Sequence, residues 1–337
     1  MTTHEGVAMG KIVVAGHICI DLAPGLRPGT RVEPGQLFEV DPLRMTLGGC
    51  VGNTGRTLGA LGLAVSAYGV VGDDDLGTLV AMKLAEDVTD VHLRAVAAAG
   101  TSYSVVIESA TADRTFWHYP GANACFGVAD VDPAGADLVH LGYPALLPGL
   151  VGEDGSPLVA ALTGVRAAGA TASLDLVVVD RTAPIGRLDW PGIIRRAAAV
   201  TDILTPSVDD LTSALGLAPP YPPDLAERLA DDLVAWGTAV AVVSNGAEGL
   251  VLRTAGADRL RRGGPILAPV AEAWADQRLR APARPVERVV TTTGAGDAAT
   301  AGLLYALVKG FAPARALAVA TATAQAAITG QRPGVAS

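Results

Sequence analysis

The stretch TTTGAGDAATAG, Thr291 to Gly302, holds the residues of this chain best spaced for chemistry, and it supports two readings. Gly294-Ala295-Gly296-Asp297-Ala298-Ala299 satisfies the dinucleotide pattern G-x-G-x-x-G/A, in which glycines bring the backbone against a pyrophosphate. That pattern needs an acidic residue about 20 positions later for the ribose hydroxyl, and further strand-helix crossovers downstream. From Ala298 to Ser337 there is neither Asp nor Glu, and about forty residues leave no room for the crossovers. The dehydrogenase reading fails. In the second reading a strand over Val286–Thr291 enters a tight glycine turn, and the N–H groups of Gly294, Ala295, Gly296 and Asp297 converge at a helix N-terminus. Such a spot stabilises negative charge. Asp297, in the first turn, stands beside it and can accept a proton from an attacking hydroxyl. Taken by itself, Asp297 could equally cap its helix.

The elements that would carry these residues show in the hydrophobic pattern. Short β-branched runs, each followed by a longer Ala/Leu-rich segment, begin at Lys11, Val65, Asp137, Ala170, Thr201 and Thr238. This predicts an α/β fold with a mostly parallel central sheet and helices on both faces. Helices are expected over Asn53–Leu61, Gly77–Leu84, Asp209–Leu215, Asp224–Trp236 and Asp297–Lys309, the last stopped by Gly310 and Pro313. Two segments break the alternation: residues 35–47, and residues 101–119, where TSYSVVIES and DRTFWHY read as strands joined by a polar turn at Ser109–Asp113. They predict a small separate sheet, either a lid or a surface through which two copies pair. No internal repeat or low-complexity linker divides the chain, so residues 1–337 are expected to form a single domain with the lid segments inserted in it.

Composition excludes several classes. The formal net charge of -9, without any dense Lys/Arg block, speaks against nucleic acid or an anionic membrane as partner. The most basic stretch, Arg253 to Arg288, is interrupted by Asp258, Glu272, Asp276 and Glu287, and reads as a solvated face. Cys19, Cys50 and Cys125 are odd in number and far apart, which suits free thiols in a reducing compartment. Met1 to Gly10 carries no secretion pattern, and Ala312 to Ile328 is broken by Arg315, Thr321, Thr323 and Gln325, so a buried helix is expected there. A cytoplasmic location is expected. His17 and His140 are expected to satisfy backbone partners near strand ends, and no histidine pair has zinc-ligand spacing.

KIVVAGHICIDL, LGGCVGNTGRTLGALG, YGVVGDDDLG, PSVDD, SNGAEGLVL and TTTGAGDAATAG follow one another along the chain, and this order resembles, over nearly the whole length, the ribokinase-like or PfkB family of sugar kinases. KIVVAGHICIDL looks like the family's opening strand, with Asp21 where a carboxylate holds substrate hydroxyls. LGGCVGNTGRTLGALG matches GG-x-x-x-N through Gly48, Gly49 and Asn53, and YGVVGDDDLG matches G-x-V-G-x-D-x-x-G. PSVDD, with Ser207 and Asp210, sits where the family has N-x-x-E, a group linked to magnesium and phosphate. SNGAEGLVL, with Ser244, Gly246 and Gly249, resembles the nucleotide-binding strand-turn-strand, and TTTGAGDAATAG matches the C-terminal signature, with Thr293 beside the nucleotide. Ser207 and Asp210 depart from the usual Asn and Glu.

The resemblance implies a three-layer ribokinase-like fold with a small β lid, a sugar and ATP as small-molecule substrates, and Mg2+ held near Asp210 through water. It leaves room for a monovalent cation and for a homodimer through the lid. Asp297 would be the general base and the Gly294–Asp297 amides the anion hole. Asp21, Gly48, Gly49 and Asn53 offer the charged acceptor, close backbone and amide that suit a polyhydroxylated ligand, and His118 and Asn123, beside the lid strand, would reach it. Alternatively, Asn53 caps a helix starting at Thr54, and Asp21 is a turn residue before Pro24. There is no Walker-type G-x-x-x-x-G-K-[ST], and lysine occurs only at positions 11, 83 and 309, so phosphate charge must fall to amides, metal or arginine; Arg181 and Arg187 are candidates, though each reads rather as a surface arginine. A nucleoside kinase remains open because Phe116, Trp117 and Tyr119 cluster at the lid. A non-catalytic sugar or nucleotide sensor remains open because of the Ser207 and Asp210 departures.

Overall fold

The computed structural model describes residues 10–26, 34–109 and 112–334. In chain order its strands are β1 (Lys11–Gly16), β2 (Cys19–Gly25), β3 (Asp41–Gly48), β4 (Val65–Gly72), β5 (Asp90–Val96), β6 (Tyr103–Ser109), β7 (Ala112–Tyr119), β8 (Ala136–Gly142), β9 (Thr171–Asp175), β10 (Ile203–Leu204), β11 (Val240–Ser244), β12 (Leu250–Thr254) and β13 (Arg278–Ala281). Nine of them form one sheet in the order β13-β12-β11-β10-β9-β8-β1-β4-β5. From β11 through β5 the neighbours run parallel, because helices carry the chain back between them. Only the short turn Gly246–Glu248 joins β11 to β12, too little chain for a crossover, so that pair is antiparallel.

Side chains of β1 alternate between two cores. Val13 and Ala15 enter one with the helices Ser156–Ala167, Trp190–Val200 and Leu225–Ala235. Ile12 and Val14 enter the other with Ala295–Val308 and Pro313–Ile328. A strand buried on both faces this way is the mark of a parallel sheet between helical layers. The three-layer expectation holds.

The remaining strands make a second sheet, in the order β3-β2-β6-β7. Here the expected opening strand divides in two. Gly16 adopts φ +126°, where a Cβ would lie 2.4 Å from the Gly142 carbonyl oxygen, and past it the chain leaves the large sheet to form β2. The small sheet therefore contains Cys19–Gly25 as well as strands from the two segments read in the sequence. Part of the turn expected at Ser109–Asp113 lies outside the described residues, as do Met1 to Met9.

Two further expectations change. Val286–Thr291 forms no strand; the amides of Val290 and Thr291 instead bond the Ile328 carbonyl at the end of the last helix. The helix expected from Asn53 starts earlier, as a wide π-type turn over Val51–Gly55 that continues as Arg56–Ala60.

Candidate active site

Gly294, left-handed at φ 74°, turns the chain into the helix Ala295–Val308 and leaves the first-turn amides to be satisfied. Ala295 N–H bonds Thr292 O and Ala298 N–H bonds Gly294 O, whereas the amides of Gly296 and Asp297 meet no acceptor among the described residues. The expected anion cradle is thus narrower than the sequence suggested, since the Ala295 amide is occupied. Next to Gly296 lies a cavity of about 10 Å³ lined also by Thr205, Ser244 and Thr300, and the Thr205 hydroxyl, buried there, has no partner among the described residues.

Asp297 is buried at the mouth of this turn and does not cap its own helix. Its Oδ2 accepts from Tyr143 Oη at 2.7 Å and Asn53 Nδ2 at 3.0 Å, and its Oδ1 from Thr54 Oγ1 at 3.1 Å. A carboxylate has about four acceptor positions, so one on Oδ1 stays open. Burial pushes the Asp297 carboxyl up from its ordinary range, and the three hydrogen bonds pull against that. Asn53 is therefore a partner of Asp297 and does not cap a helix from Thr54. Tyr143, the first residue after β8, holds a left-handed conformation (φ 68°, ψ 53°), unusual for a residue with a side chain, and its amide bonds Asp175 O.

Two more carboxylates share the neighbourhood. Asp175 ends β9 and is driven well above the usual carboxylate range by burial, then by the charges of Asp297 and Asp210. Asp210 is raised to about 6 by burial, against the hydrogen bonds from Ser207. Ser207 and Asp210 form a reciprocal capping box at the start of the helix Val208–Leu215, Ser207 N–H donating to Asp210 Oδ2 at 2.7 Å and Asp210 N–H to Ser207 Oγ at 3.0 Å. Ser207 also lies against Ser244 in an isolated parallel bridge. Among the described residues no three side chains are grouped tightly enough to enclose a metal. Buried, charge-coupled carboxylates without a cationic partner do suit a hard divalent ion that keeps part of its water and takes other oxygens from a ligand.

On the small sheet, pairing sets Thr46, Asp21, Ser104 and His118 directly opposite one another on successive strands, and so on one face. Asp21 is mid-strand and buried, not a turn residue. Gly48 allows its approach, since a Cβ there would fall 2.5 Å from Asp21 Oδ2. The sequence placed Asn123 at the acceptor, but its amide is committed to the backbone, with Oδ1 accepting from Ile18 N–H at 3.3 Å and Nδ2 donating to Ile18 O at 2.8 Å. Arg181 is likewise committed to the carbonyls of Ser213, Gly186 and Ala214. His140 finds a side chain, Ser173 Oγ at 2.8 Å, in place of a backbone partner. His17 finds none. Thr293, Gly294 and Asn53 border an outer cleft of about 480 Å³. Gly246 and Gly249, both at positive φ, shape the turn after Ser244.

Tyr143, Thr54 and Asp175, which the structure gathers about Asp297, were not singled out in the sequence. Asp175 carried a usable signal, because a carboxylate at the carboxyl end of a parallel strand stands where such sheets bind ligands.

The profile of the pfkB family carbohydrate kinases matches residues 9–336. The chain belongs to the PfkB family. Among curated relatives of this carbohydrate kinase, the aminoimidazole riboside kinase of Salmonella typhimurium is 28% identical over 309 residues, covering 89% of this chain and 82% of the relative. The 1-phosphofructokinase of Rhodobacter capsulatus is 29% identical over 289 residues, covering 83% and 78%. In fold, the kinase is similar to Arabidopsis thaliana ribokinase complexed with ribose and ATP, with a TM-score of 0.70 at 22% identity over 95% of this chain and 93% of that one. It is a sugar or nucleoside kinase, a phosphotransferase to a hydroxyl group. Among the described residues no helix is long and apolar enough to cross a membrane.

Proposed function

We propose that this kinase transfers the γ-phosphoryl group of ATP to a hydroxyl of an unphosphorylated sugar or sugar-like polyol, with Asp297 as general base. The observation that carries the proposal is the Asp297 carboxylate, held by three donors with one acceptor position open beside two free helix-start amides. The acceptor hydroxyl donates to that open position on Oδ1. As its oxygen bonds to phosphorus and the bond to the ADP oxygen breaks, the proton passes to Asp297, and charge on the transferring group meets the Gly296 and Asp297 amides. Asp210 and Asp175 would hold hydrated Mg2+, whose charge would offset that of the phosphates. Ser207, Ser244 and Thr293 border the nucleotide, and Asp21 and the Gly48-Gly49 backbone hold the polyol. The small sheet acts as a lid. One of its faces carries the row Met45, Leu22, Val105 and Trp117 with both ends exposed, a surface a second copy can cover.

One observation favours a nucleoside as acceptor: Phe116, two residues before His118 on β7, shares the face of Asp21 and is exposed, where a base can stack. The test is ADP release with ATP and Mg2+ across sugars, polyols, nucleosides and sugar phosphates. Turnover of neutral acceptors that Asp297→Asn abolishes supports the proposal. A consistent preference for sugar phosphates would overturn the neutral acceptor.

A further inference from the structure

Where the two sheets meet, three buried ring nitrogens have no partner among the described residues. His17, wholly enclosed after β1, has neither Nδ1 nor Nε2 bonded, and His118 on β7 pairs Nδ1 with Ser104 Oγ at 3.0 Å but leaves Nε2 unmet. Buried polar atoms forfeit their bonds to water and are rarely left without replacement, so three in one place call for a ligand. The two rings lie 5.2 Å apart, and His17 stacks at 5.9 Å on Tyr143, whose hydroxyl holds Asp297. Gly49 makes room for the ring: a Cβ there would come within 2.5 Å of His17 Nδ1.

His118 also ends the polar row Thr46, Asp21, Ser104, His118, and no lysine or arginine stands in that row. Burial lowers His17 to about 3 and lowers His118 as well, so both imidazoles are neutral near pH 7. A neutral imidazole offers one donor and one acceptor, which matches a hydroxyl and gives an anionic group no counter-charge.

We propose that His17 and His118 form the wall that selects the acceptor, hydrogen-bonding hydroxyls of a neutral polyol whose neighbouring hydroxyl is presented to Asp297. The assignment rests on the kinase reading above and adds to it the residues that choose the substrate. His17 and His118 are specificity residues; the proton still goes to Asp297.

The experiment compares His17→Leu, His17→Gln and His118→Leu with the wild type. Thermal midpoints are measured without ligand, and kcat and KM with ATP and Mg2+ for D-ribose, D-fructose, adenosine and fructose 1-phosphate. His17→Leu is expected to melt within about 2 °C of the wild type or above it, because it removes an unpaired polar group, while kcat/KM for the best neutral acceptor falls by about 30-fold or more. His17→Gln, which keeps a polar atom near Nε2, should recover part of that loss, and His118→Leu should raise KM more than it lowers kcat. A His17→Leu midpoint lowered by more than about 6 °C would mark His17 as an ordinary core residue and overturn the inference. Unchanged kinetics in both leucine variants, or a preference for fructose 1-phosphate, would overturn it too. If the wild type turns over none of these compounds, they are not its acceptors, a result separate from the role of the wall. The wall is then judged by ring ¹⁵N shifts of His17 and His118 on adding D-ribose, D-fructose or adenosine: movement supports it and no movement refutes it.

Discussion

Tyr143→Phe removes one atom, the hydroxyl that donates to Asp297 Oδ2 at 2.7 Å, and leaves the ring that packs on His17. A hydrogen bond to a charged group contributes about 1.5–3 kcal/mol, and about 1.4 kcal/mol of preference for one protonation state is one pKa unit. The hydroxyl favours the carboxylate form, so its loss should raise the Asp297 pKa by about one to two units, towards the lower end because Asn53 Nδ2 still serves the same oxygen. A base must be ionised to act. The acid limb of the kcat/KM profile should therefore move up by about one unit, and activity should be lost below the limb while returning to within severalfold of the wild type above it. Initial rates between pH 5 and 9 at fixed ATP and Mg2+, with the best acceptor, measure this. An acid limb that stays in place would refute the electrostatic role of Tyr143, and a uniform loss at every pH would reduce it to holding geometry.

Asp297→Asn should lower kcat by about 100-fold or more with a smaller change in KM, because the base acts mainly in the transition state; steady-state kinetics decide, and turnover within about tenfold of the wild type removes Asp297 from that role. Asp175 has a folded pKa well above its unfolded value, so the stability it contributes when protonated is present below about pH 4 and lost as pH rises towards the folded value. Asp175→Asn should thus raise the thermal midpoint at pH 7 without metal and shrink the further rise caused by MgATP, as scanning fluorimetry would show. Acceptor with a non-hydrolysable ATP analogue should slow proteolysis between Gly100 and Pro120, whereas identical digestion patterns would deny a lid that closes. Trp117→Glu should convert a dimer to a monomer in light scattering if the Met45–Trp117 face is where copies meet, and a wild type that is already monomeric dismisses the interface.

What was legible in the sequence is what local pattern dictates. Alternating β-branched and Ala/Leu-rich runs specify a parallel sheet between helices, and the glycines before Asp297 specify a helix start with free amides. The division of KIVVAGHICIDL was hidden because one backbone angle at Gly16 decides it, and the run of apolar residues continues across the break. The segment before Thr291 is apolar enough for a strand, but its amides are taken by Ile328, a tertiary partner that no local pattern announces. Tyr143 and Thr54 reach Asp297 from separate elements, and only the folded chain brings their hydroxyls to it. Asn123 had a fitting side chain in a fitting motif, yet the backbone of Ile18 claims it first.

The grip on Asp297 also sets an order in time. Asn53 and Thr54 hold a carboxylate 244 and 243 positions further along the chain, and Tyr143 holds it from 154 positions away. As the polypeptide is made, the residues that receive the base are synthesised long before the base itself. Until the helix Ala295–Val308 arrives, the Asn53 amide and the Tyr143 hydroxyl have no carboxylate to bind, and that half of the protein is left with polar groups and the open side of an apolar core exposed. A nascent chain stalled short of that helix would therefore hold a partial fold prone to association and without catalytic power. Competence arrives in one step, when the last helices dock.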